Sequence, residues 1–243
     1  PFPATAPRAD LVFFNGLGGF TPDGHEYIIT TGAGAQTPAP WVNVLANARF
    51  GSVVSESGSA YTWAENAHEF RLTPWNNDAV TDGGGEAFYI RDEESGRVWS
   101  PTPLPAESGA RYTTRHGFGY SVFEHTADGI ASELWVYVDV VEPVKWSALK
   151  IRNLSGRPRR LSVTGYAEWV LGDLRPKAAP YVVTSIDSET GALLAGNAYN
   201  AEFASRVAFF HVDDARRSVS GDRAEFVGRH GSLKLPAALT RAT

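Results

Sequence analysis

The chain of 243 residues contains neither cysteine nor methionine. The missing cysteine excludes disulfide bridges, thiolate metal sites and a cysteine nucleophile. Translation starts with methionine, whereas this chain begins with Pro1. We therefore expect a processed chain or, as the favoured interpretation, a piece of a longer protein.

Two further features are absent: a long apolar run and an excess of positive charge. No stretch of about 18 apolar residues occurs and no signal-peptide pattern opens the chain, so we expect a soluble, cytoplasmic piece without direct membrane contact. The 22 basic and 27 acidic residues give a net charge of −5, which argues against a nucleic-acid partner. Basic residues cluster only in residues 152–160, where a glycine and a proline predict a solvated hairpin tip.

Apolar and polar residues alternate with a period of two along much of the chain. In residues 130–140 the even positions are mostly aliphatic, while Glu133 and Asp139 fall on the odd face. The same pattern predicts strands over residues 50–55, 86–91, 119–126, 145–152, 161–170, 181–187 and 205–212. No apolar 3.6-residue stripe is sustained for three turns. These features predict an all-β fold, a large antiparallel β-sandwich with long irregular loops, and we expect one domain over residues 1–243.

Two long segments, residues 30–47 and residues 62–85, interrupt the alternation and are predicted to be irregular loops. The second contains Trp63 and Trp75 together with three asparagines, three carboxylates and one arginine within residues 62–78. Aromatic faces beside amides and carboxylates are typical of sugar recognition. An irregular loop anchored in the core by the two tryptophans is the alternative, and residue types alone favour it. Long ordered loops tend to be functional, which favours the first interpretation.

Other motifs give weaker signals. The glycine-rich residues 15–20 lack the spacing of a phosphate-binding loop and predict a strand turn. His116 and His125 can meet across a hairpin, but hydrogen-bonded strand histidines are favoured over a metal site. Glycosidic chemistry needs two carboxylates about 5–10 Å apart. Solvated strand faces account for most of the candidate carboxylates, which are Glu65, Glu69, Asp78, Glu86, Glu124, Glu133 and Glu168.

Many short runs follow one another along the chain in a consistent order: residues 14–20 (FNGLGGF), 37–41 (TPAPW), 50–51 (FG), 55–58 (SESG), 61–63 (YTW), 65–66 (EN), 71–75 (RLTPW), 77–78 (ND), 99–103 (WSPTP), 115–117 (RHG), 119–120 (GY), 123–125 (FEH) and 166–172 (YAEWVLG). Taken in order, these runs resemble the start of the glycoside hydrolase family 94 module, formerly glycosyltransferase family 36. Within the family they are most similar to the carboxyl-terminal module of cyclic β-1,2-glucan synthases and to β-1,2-oligoglucan phosphorylases.

The resemblance implies an amino-terminal sandwich of the galactose-mutarotase-like super-sandwich type, followed by a helical (α/α)6 barrel. It also implies inverting phosphorolysis that needs no cofactor, with inorganic phosphate as co-substrate and an aspartate of the barrel as general acid. The barrel is missing here, and we expect the sequence to remain β-patterned up to Thr243. The piece by itself is therefore expected to be catalytically silent, with no catalytic residue of its own. The parent enzyme is left open as soluble or anchored in a bacterial inner membrane.

In family members the sandwich loops approach the sugar site, in some cases that of a dimer partner. The expected partners are therefore a β-glucan oligosaccharide, the following barrel and a homodimer mate. This sequence departs from the family pattern at His68 and Phe70, where polar or charged residues are more usual. Carried over position by position, the substrate-binding candidates are Trp63, Glu65, Asn66, Arg71, Trp75, Asn77 and Asp78.

The resemblance predicts a non-catalytic domain that binds carbohydrate and shapes the sugar site of a barrel. Three alternatives stay open. A free-standing carbohydrate-binding module would bind sugar unaided, whereas a structural dimerisation domain would expose a large apolar patch and have no effect on sugar. An aldose-epimerase-like enzyme on a similar sandwich is the third and is given little weight.

Overall fold

The computed structural model describes residues 10–32, 34–214 and 216–241, and strands dominate this part of the chain. Every strand pairing in it is antiparallel. Two short helices, α1 (Arg175–Ala178) and α2 (Arg223–Val227), come late in the sequence. The strands are β1 (Gly18–Phe20), β2 (Glu26–Thr31), β3 (Val42–Ala46), β4 (Phe50–Ser55), β5 (Ala60–Ala64), β6 (Glu86–Asp92), β7 (Val98–Trp99), β8 (Tyr112–Gly117), β9 (Tyr120–Ala127), β10 (Ile130–Val138), β11 (Lys145–Asn153), β12 (Leu161–Ala167), β13 (Val182–Ile186), β14 (Leu193–Asn197) and β15 (Val207–Phe210).

One six-stranded sheet, in the order β1-β2-β8-β9-β10-β11, forms the larger layer. Three-stranded sheets in the orders β3-β4-β5 and β12-β6-β7 cover one of its faces. A further sheet, β13-β14-β15, packs through Ala195 and Ala208 onto the loop between β5 and β6. The all-β sandwich expected from the alternation is confirmed.

The core between the layers explains why the alternation was visible in the sequence. Leu134 and Val136 of β10 contact Leu45 and Val54 of the sheet β3-β4-β5. The sheet β12-β6-β7 contributes Trp99 to the same layer of the core. All five side chains are buried. Each large apolar side chain removed from water contributes roughly 1.5–3 kcal/mol, so the even positions of β10 have to face inward.

The predicted strands are all found, with ends shifted by a few residues, but the two segments predicted to be irregular are not wholly so. Residues 30–47 contain β3, and Thr62 to Ala64 lie in β5. The alternation of β3 is hidden because its inward Asn43 is polar. The Asn43 amide donates to the carbonyls of Gly117 and Tyr120, both at 2.9 Å, so its polarity is satisfied inside the sandwich.

The expectation of a β pattern up to Thr243 is wrong for the part described. No strand follows Phe210 in residues 211–214 and 216–241, and Thr243 itself lies outside the described residues. Instead, Phe226 and Leu239 pack beside Tyr89 on the sheet of β6. The Tyr89 hydroxyl donates to the carbonyl of Leu233 at 2.7 Å, which ties this segment to the sandwich.

The basic turn after β11 is also less solvated than predicted. The side chain of Arg159 is 4% exposed and pairs with the buried carboxylate of Asp92. Arg157, in contrast, reaches solvent and pairs with Glu94. The cluster is thus a clamp between the turn and the end of β6 rather than a free hairpin tip.

Candidate functional site

Strand β5 places two aromatic rings on the outer face of the sheet β3-β4-β5. Thr62 points inward, so its neighbours Tyr61 and Trp63 point outward. Trp63 lies opposite Gly51 on β4, and a Cβ built on Gly51 would be only 2.2 Å from the Trp63 ring. The indole therefore lies flat across the strand, and only glycine leaves it that room.

A second tryptophan extends this surface. The Tyr61 ring centroid lies 5.4 Å from that of Trp63 and 5.0 Å from that of Trp75. Trp75 is 42% exposed, and we call these three residues the aromatic strip. Tyr61 was missed as a candidate, although its position two residues before Trp63 on one strand is the signal that could have found it.

The loop is anchored in the core by neither tryptophan, so the simple anchoring interpretation is wrong. Phe70 is buried and stacks on Phe203 with centroids 4.5 Å apart. Leu72 and Leu171 join the same cluster. The departure from the family pattern at Phe70 thus has a packing role, and it leaves the tryptophans free to face outward.

Arg71 lies beside the strip. Its backbone exchanges two hydrogen bonds of 3.1 Å with Gly172, and its guanidinium donates to the carbonyl of Asp173 at 3.1 Å. Burial raises the pKa of the Tyr61 phenol, and the charge of Arg71 opposes that rise. The structure therefore brings together three of the predicted residues: Trp63, Arg71 and Trp75.

The other four predicted residues serve local structure or stand apart. The Asn66 side chain accepts the backbone N–H groups of His68 and Glu69, and Asp78 accepts those of Val80 and Thr81. Hydrogen bonds from the Thr81 hydroxyl and backbone lower the pKa of Asp78. The remaining two have positive φ, and of these Glu65 pairs with Arg206 at 2.6 Å while Asn77 is exposed.

A polar network lies beneath the strip, between the layers. The hydroxyls of Thr62 and Thr73 donate to one oxygen of Glu86 at 2.7 and 2.6 Å. Lys145 pairs with the other oxygen and donates to the Thr62 hydroxyl at 2.7 Å. Burial works to raise the pKa of Glu86, but the Lys145 charge and the hydrogen bonds outweigh it, so the pKa is lowered. The network links the start of the segment at Thr62, its middle at Thr73 and the strand that follows it at Glu86.

Two carboxylates expected on solvated faces are therefore not solvated. Glu86 belongs to the buried network, and the carboxylate of Glu168 pairs with Arg175 and Arg223. Glu86 is bound by a cation and two hydroxyls, and Glu168 is bound by two guanidinium groups. This arrangement suits structural support better than proton transfer.

The histidines do not form a metal site in the described part of the chain, where no group of three metal-ligand side chains occurs. His116 contacts the Ser121 hydroxyl and the Trp41 carbonyl, whereas His125 contacts Ser108. Burial disfavours the charged imidazole and lowers the pKa of His116 to about 4. Hydrogen-bonded strand histidines, the favoured interpretation, are confirmed. No helix in this part of the chain has the length and apolarity needed to cross a bilayer.

Comparison with known proteins agrees with the geometry. The chain is 43% identical over 231 residues to "Cyclic beta-(1,2)-glucan synthase NdvB" of Rhizobium meliloti (strain 1021), which covers 95% of this chain and 8% of the relative. It is 32% identical over 155 residues to "N,N'-diacetylchitobiose phosphorylase" of Vibrio furnissii, covering 63% of this chain and 19% of the relative. A third relative is "Solabiose phosphorylase" of Paenibacillus borealis, 34% identical over 160 residues, covering 64% of this chain and 20% of the relative.

The chain thus spans at most about a fifth of the length of these relatives. Residues 25–243 match the sequence pattern described as "Glycosyl hydrolase 94, supersandwich domain". The matched region contains the strip, the buried network and every strand of the sandwich except β1. The chain belongs to glycosyl hydrolase family 94, as its supersandwich domain.

Proposed function

We propose that this chain is a non-catalytic carbohydrate-binding and supporting domain of a larger β-glucan-processing enzyme. The aromatic strip is the observation that carries the proposal. Tyr61 and Trp63 lie on one face of the sheet β3-β4-β5, and Trp75 of the following loop lies against Tyr61 with its ring tilted by 48° and with 42% of the residue exposed. Aromatic ring faces pack against the CH-rich faces of sugar rings, and their large area is obtained with little loss of side-chain entropy.

Polar side chains near the strip supply hydrogen-bonding groups in addition to the ring faces. Arg71 pairs with Trp63 through a backbone bridge, and its guanidinium has N–H groups beyond those that donate to the carbonyls of Ala67 and Asp173, which can meet sugar hydroxyls. Glu65 and Arg206 form an exposed pair, and Asn77 is exposed farther along the loop. We propose these residues as secondary contacts. Asn66 and Asp78 act through the shape of the loop, because their side-chain oxygens accept backbone N–H groups.

The supporting role rests on a second surface. The outer face of the sheet β13-β14-β15 exposes Val183, Val207 and Phe209, with Leu194 directly opposite Phe209. Exposed apolar patches of this kind are typical of docking faces. We propose that a following helical barrel packs here and supplies the general acid for inverting phosphorolysis with inorganic phosphate. In this proposal residues 1–243 form one domain of a cytoplasmic enzyme that needs no cofactor.

One alternative is favoured by the same apolar patch. A structural dimerisation domain also exposes such a face, and it predicts no effect on sugar. A free-standing binding module shares the strip and also binds sugar without a barrel, so it differs from the proposal in predicting that changes in the strip leave the kinetics of the longer enzyme unchanged. The two surfaces can therefore be tested separately, since each alternative depends on only one of them.

Isothermal titration of the chain with linear β-1,2-gluco-oligosaccharides tests the sugar-binding role. We expect binding that Trp75→Ala weakens roughly fivefold or more, since a lost ring stack is worth about 1 kcal/mol. Val80→Ala, an exposed change in the same loop, is the matched control and is expected to leave the affinity unchanged. Equal affinities of the two variants would overturn the assignment of the strip.

A further inference from the structure

The larger sheet carries a second row of aromatic residues on the face turned away from the core. Even positions of β10 face inward, so Tyr137 faces outward. It lies directly opposite Tyr120 on β9 and Trp146 on β11. Neighbouring strands are about 4.8 Å apart, so the three residues form a row across three strands. We call them the outer row, and Trp135 lies beside it on β10.

Two of these rings are held in place through their polar ends. The Tyr120 hydroxyl donates to Glu26 at 2.8 Å, and the Trp135 indole N–H donates to Glu133 at 2.5 Å. A tethered ring keeps one orientation before any ligand arrives, which reduces the entropy lost on binding.

Two rings of the outer row, those of Tyr137 and Trp146, remain exposed. Tyr137 is 37% exposed and Trp146 is 49% exposed, and neither takes part in a ring contact described for this sheet. Two cations of this face cover a different ring. Arg115 and Lys150 lie 5.6 and 5.3 Å from the centre of the Trp135 ring, so they leave the rings of Tyr137 and Trp146 uncovered.

The charges of this face are matched within it. Arg115 pairs with Glu26 at 2.6 Å and lies 3.3 Å from Glu124, and Lys150 pairs with Glu133 at 2.8 Å. Counting Asp139, this face carries four carboxylates and three cations, the third cation being the exposed Arg152. Such a face disfavours phosphate-bearing ligands, whereas fixed rings bordered by carboxylates fit a neutral ligand with CH faces and hydroxyl groups.

We propose that the outer row is a second binding surface, for a neutral oligosaccharide, on the opposite side of the sandwich from the aromatic strip. Tyr137 and Trp146 provide the stacking faces. Asp139, two residues beyond Tyr137, is the carboxylate next to them, and its Oδ1 already accepts the backbone N–H groups of Val141 and Glu142. The proposal goes beyond the function assigned to the strip, because the two surfaces share no residue and can bind independently.

Titration of the 243-residue chain with linear β-1,2-gluco-oligosaccharides, and separately with cello-oligosaccharides, tests this proposal. We expect two binding events for at least one probe. Trp146→Ala and Tyr137→Ala should each weaken one event roughly fivefold or more. The other event should respond only to Trp75→Ala. Thermal unfolding of each variant verifies the fold, and Trp146→Phe, which keeps a ring face, should restore most of the lost affinity.

Arg152→Ala is the matched control, because Arg152 is exposed on the same strand and the same face. It should leave both binding events unchanged. Loss of binding in Arg152→Ala, with affinity that falls as salt rises, would overturn the proposal in favour of charge attraction. A Trp146→Ala variant that loses no sugar binding would overturn it as well, and so would one whose only change is dimer dissociation in sedimentation. Loss of the Trp75 event alone leaves the outer row standing, so the two assignments fail separately.

Discussion

The ammonium group of Lys145 pairs with the carboxylate of Glu86 in the space between the two layers, directly under the loop that carries Trp75. Both side chains are largely buried, and Thr62 and Thr73 complete the network. The pair joins the last strand of the larger sheet to the first strand after the loop. This buried ion pair therefore fixes the position of the surface proposed to bind sugar.

Lys145→Met is expected to lower the free energy of unfolding by roughly 3–5 kcal/mol, because Glu86 is left buried without its cation. The double variant Lys145→Met with Glu86→Leu should regain much of the loss. Urea unfolding measures both. Lys177→Met, which breaks an exposed pair with Asp173, is the control and should cost no more than about 1 kcal/mol. Equal effects at the two lysines would contradict the role of the buried pair.

Gly51→Ala should displace the Trp63 indole, since the added methyl group would lie 2.2 Å from the ring. We expect a loss of roughly 1–3 kcal/mol in stability, measured by thermal unfolding, together with weaker sugar binding. Gly196→Ala on β14 is the matched control, because a Cβ there meets nothing within 4 Å. A Gly51→Ala protein with wild-type sugar affinity would show that the flat indole is not required.

Acid should weaken the clamp between Asp92 and Arg159. Burial works to raise the pKa of Asp92, but the backbone N–H of Glu94 and the Arg159 guanidinium outweigh it and lower the pKa to about 2. A lowered carboxyl pKa stabilises the fold above the unfolded value near 4 and loses that contribution as pH falls through about 2. We expect Asp92→Asn to remove about 2 kcal/mol of this acid dependence in unfolding curves at pH 2–6. Glu94→Gln, in an exposed pair, should leave the acid transition in place.

Trp75→Ala in the longer parent enzyme should raise KM for an oligosaccharide acceptor roughly fivefold while kcat changes little, because the strip is proposed to bind rather than to react. Steady-state kinetics with β-1,2-gluco-oligosaccharides provide the measurement. Val80→Ala serves again as the control in the same loop. Unchanged kinetics in Trp75→Ala would contradict the assignment of the strip to the sugar site.

Val183→Ser combined with Phe209→Ser tests the docking face. The isolated chain should keep its thermal stability, because both side chains are already exposed. The longer parent should unfold at a lower temperature, since its domain contact loses apolar area. Thr184→Ala, an exposed change on β13, is the control. Loss of self-association by this chain, with an unaffected parent, would favour the dimerisation alternative instead.

The predictable part of the fold is the part in which one face is apolar. Even positions of β10 gave a clear period, because Leu134 and Val136 meet the opposite layer. Strand β3 was missed because its inward Asn43 owes its place to acceptors more than 70 residues away. A polar residue satisfied by distant backbone has no local signature in the sequence.

The candidate site was likewise predictable only in part. Trp63, Arg71 and Trp75 were predicted together and lie together, whereas Asn66 was predicted as a contact and caps a turn instead. The pairing of Lys145 with Glu86 could not be predicted, because the two residues are 59 positions apart and meet only once the layers stack. Residue type suggested the aromatic strip, but only the folded chain shows which polar side chains already form hydrogen bonds within the protein.

The turn caps in the loop have a consequence for selectivity. Asn66 and Asp78 direct their oxygens to backbone N–H groups, so few polar groups remain to read the configuration of individual hydroxyls. A surface that binds mainly through ring faces tolerates oligosaccharides with different glycosidic linkages. If the strip binds as proposed, discrimination between glycosidic linkages has to arise in other parts of the enzyme, and this domain can be retained while the preferred substrate changes.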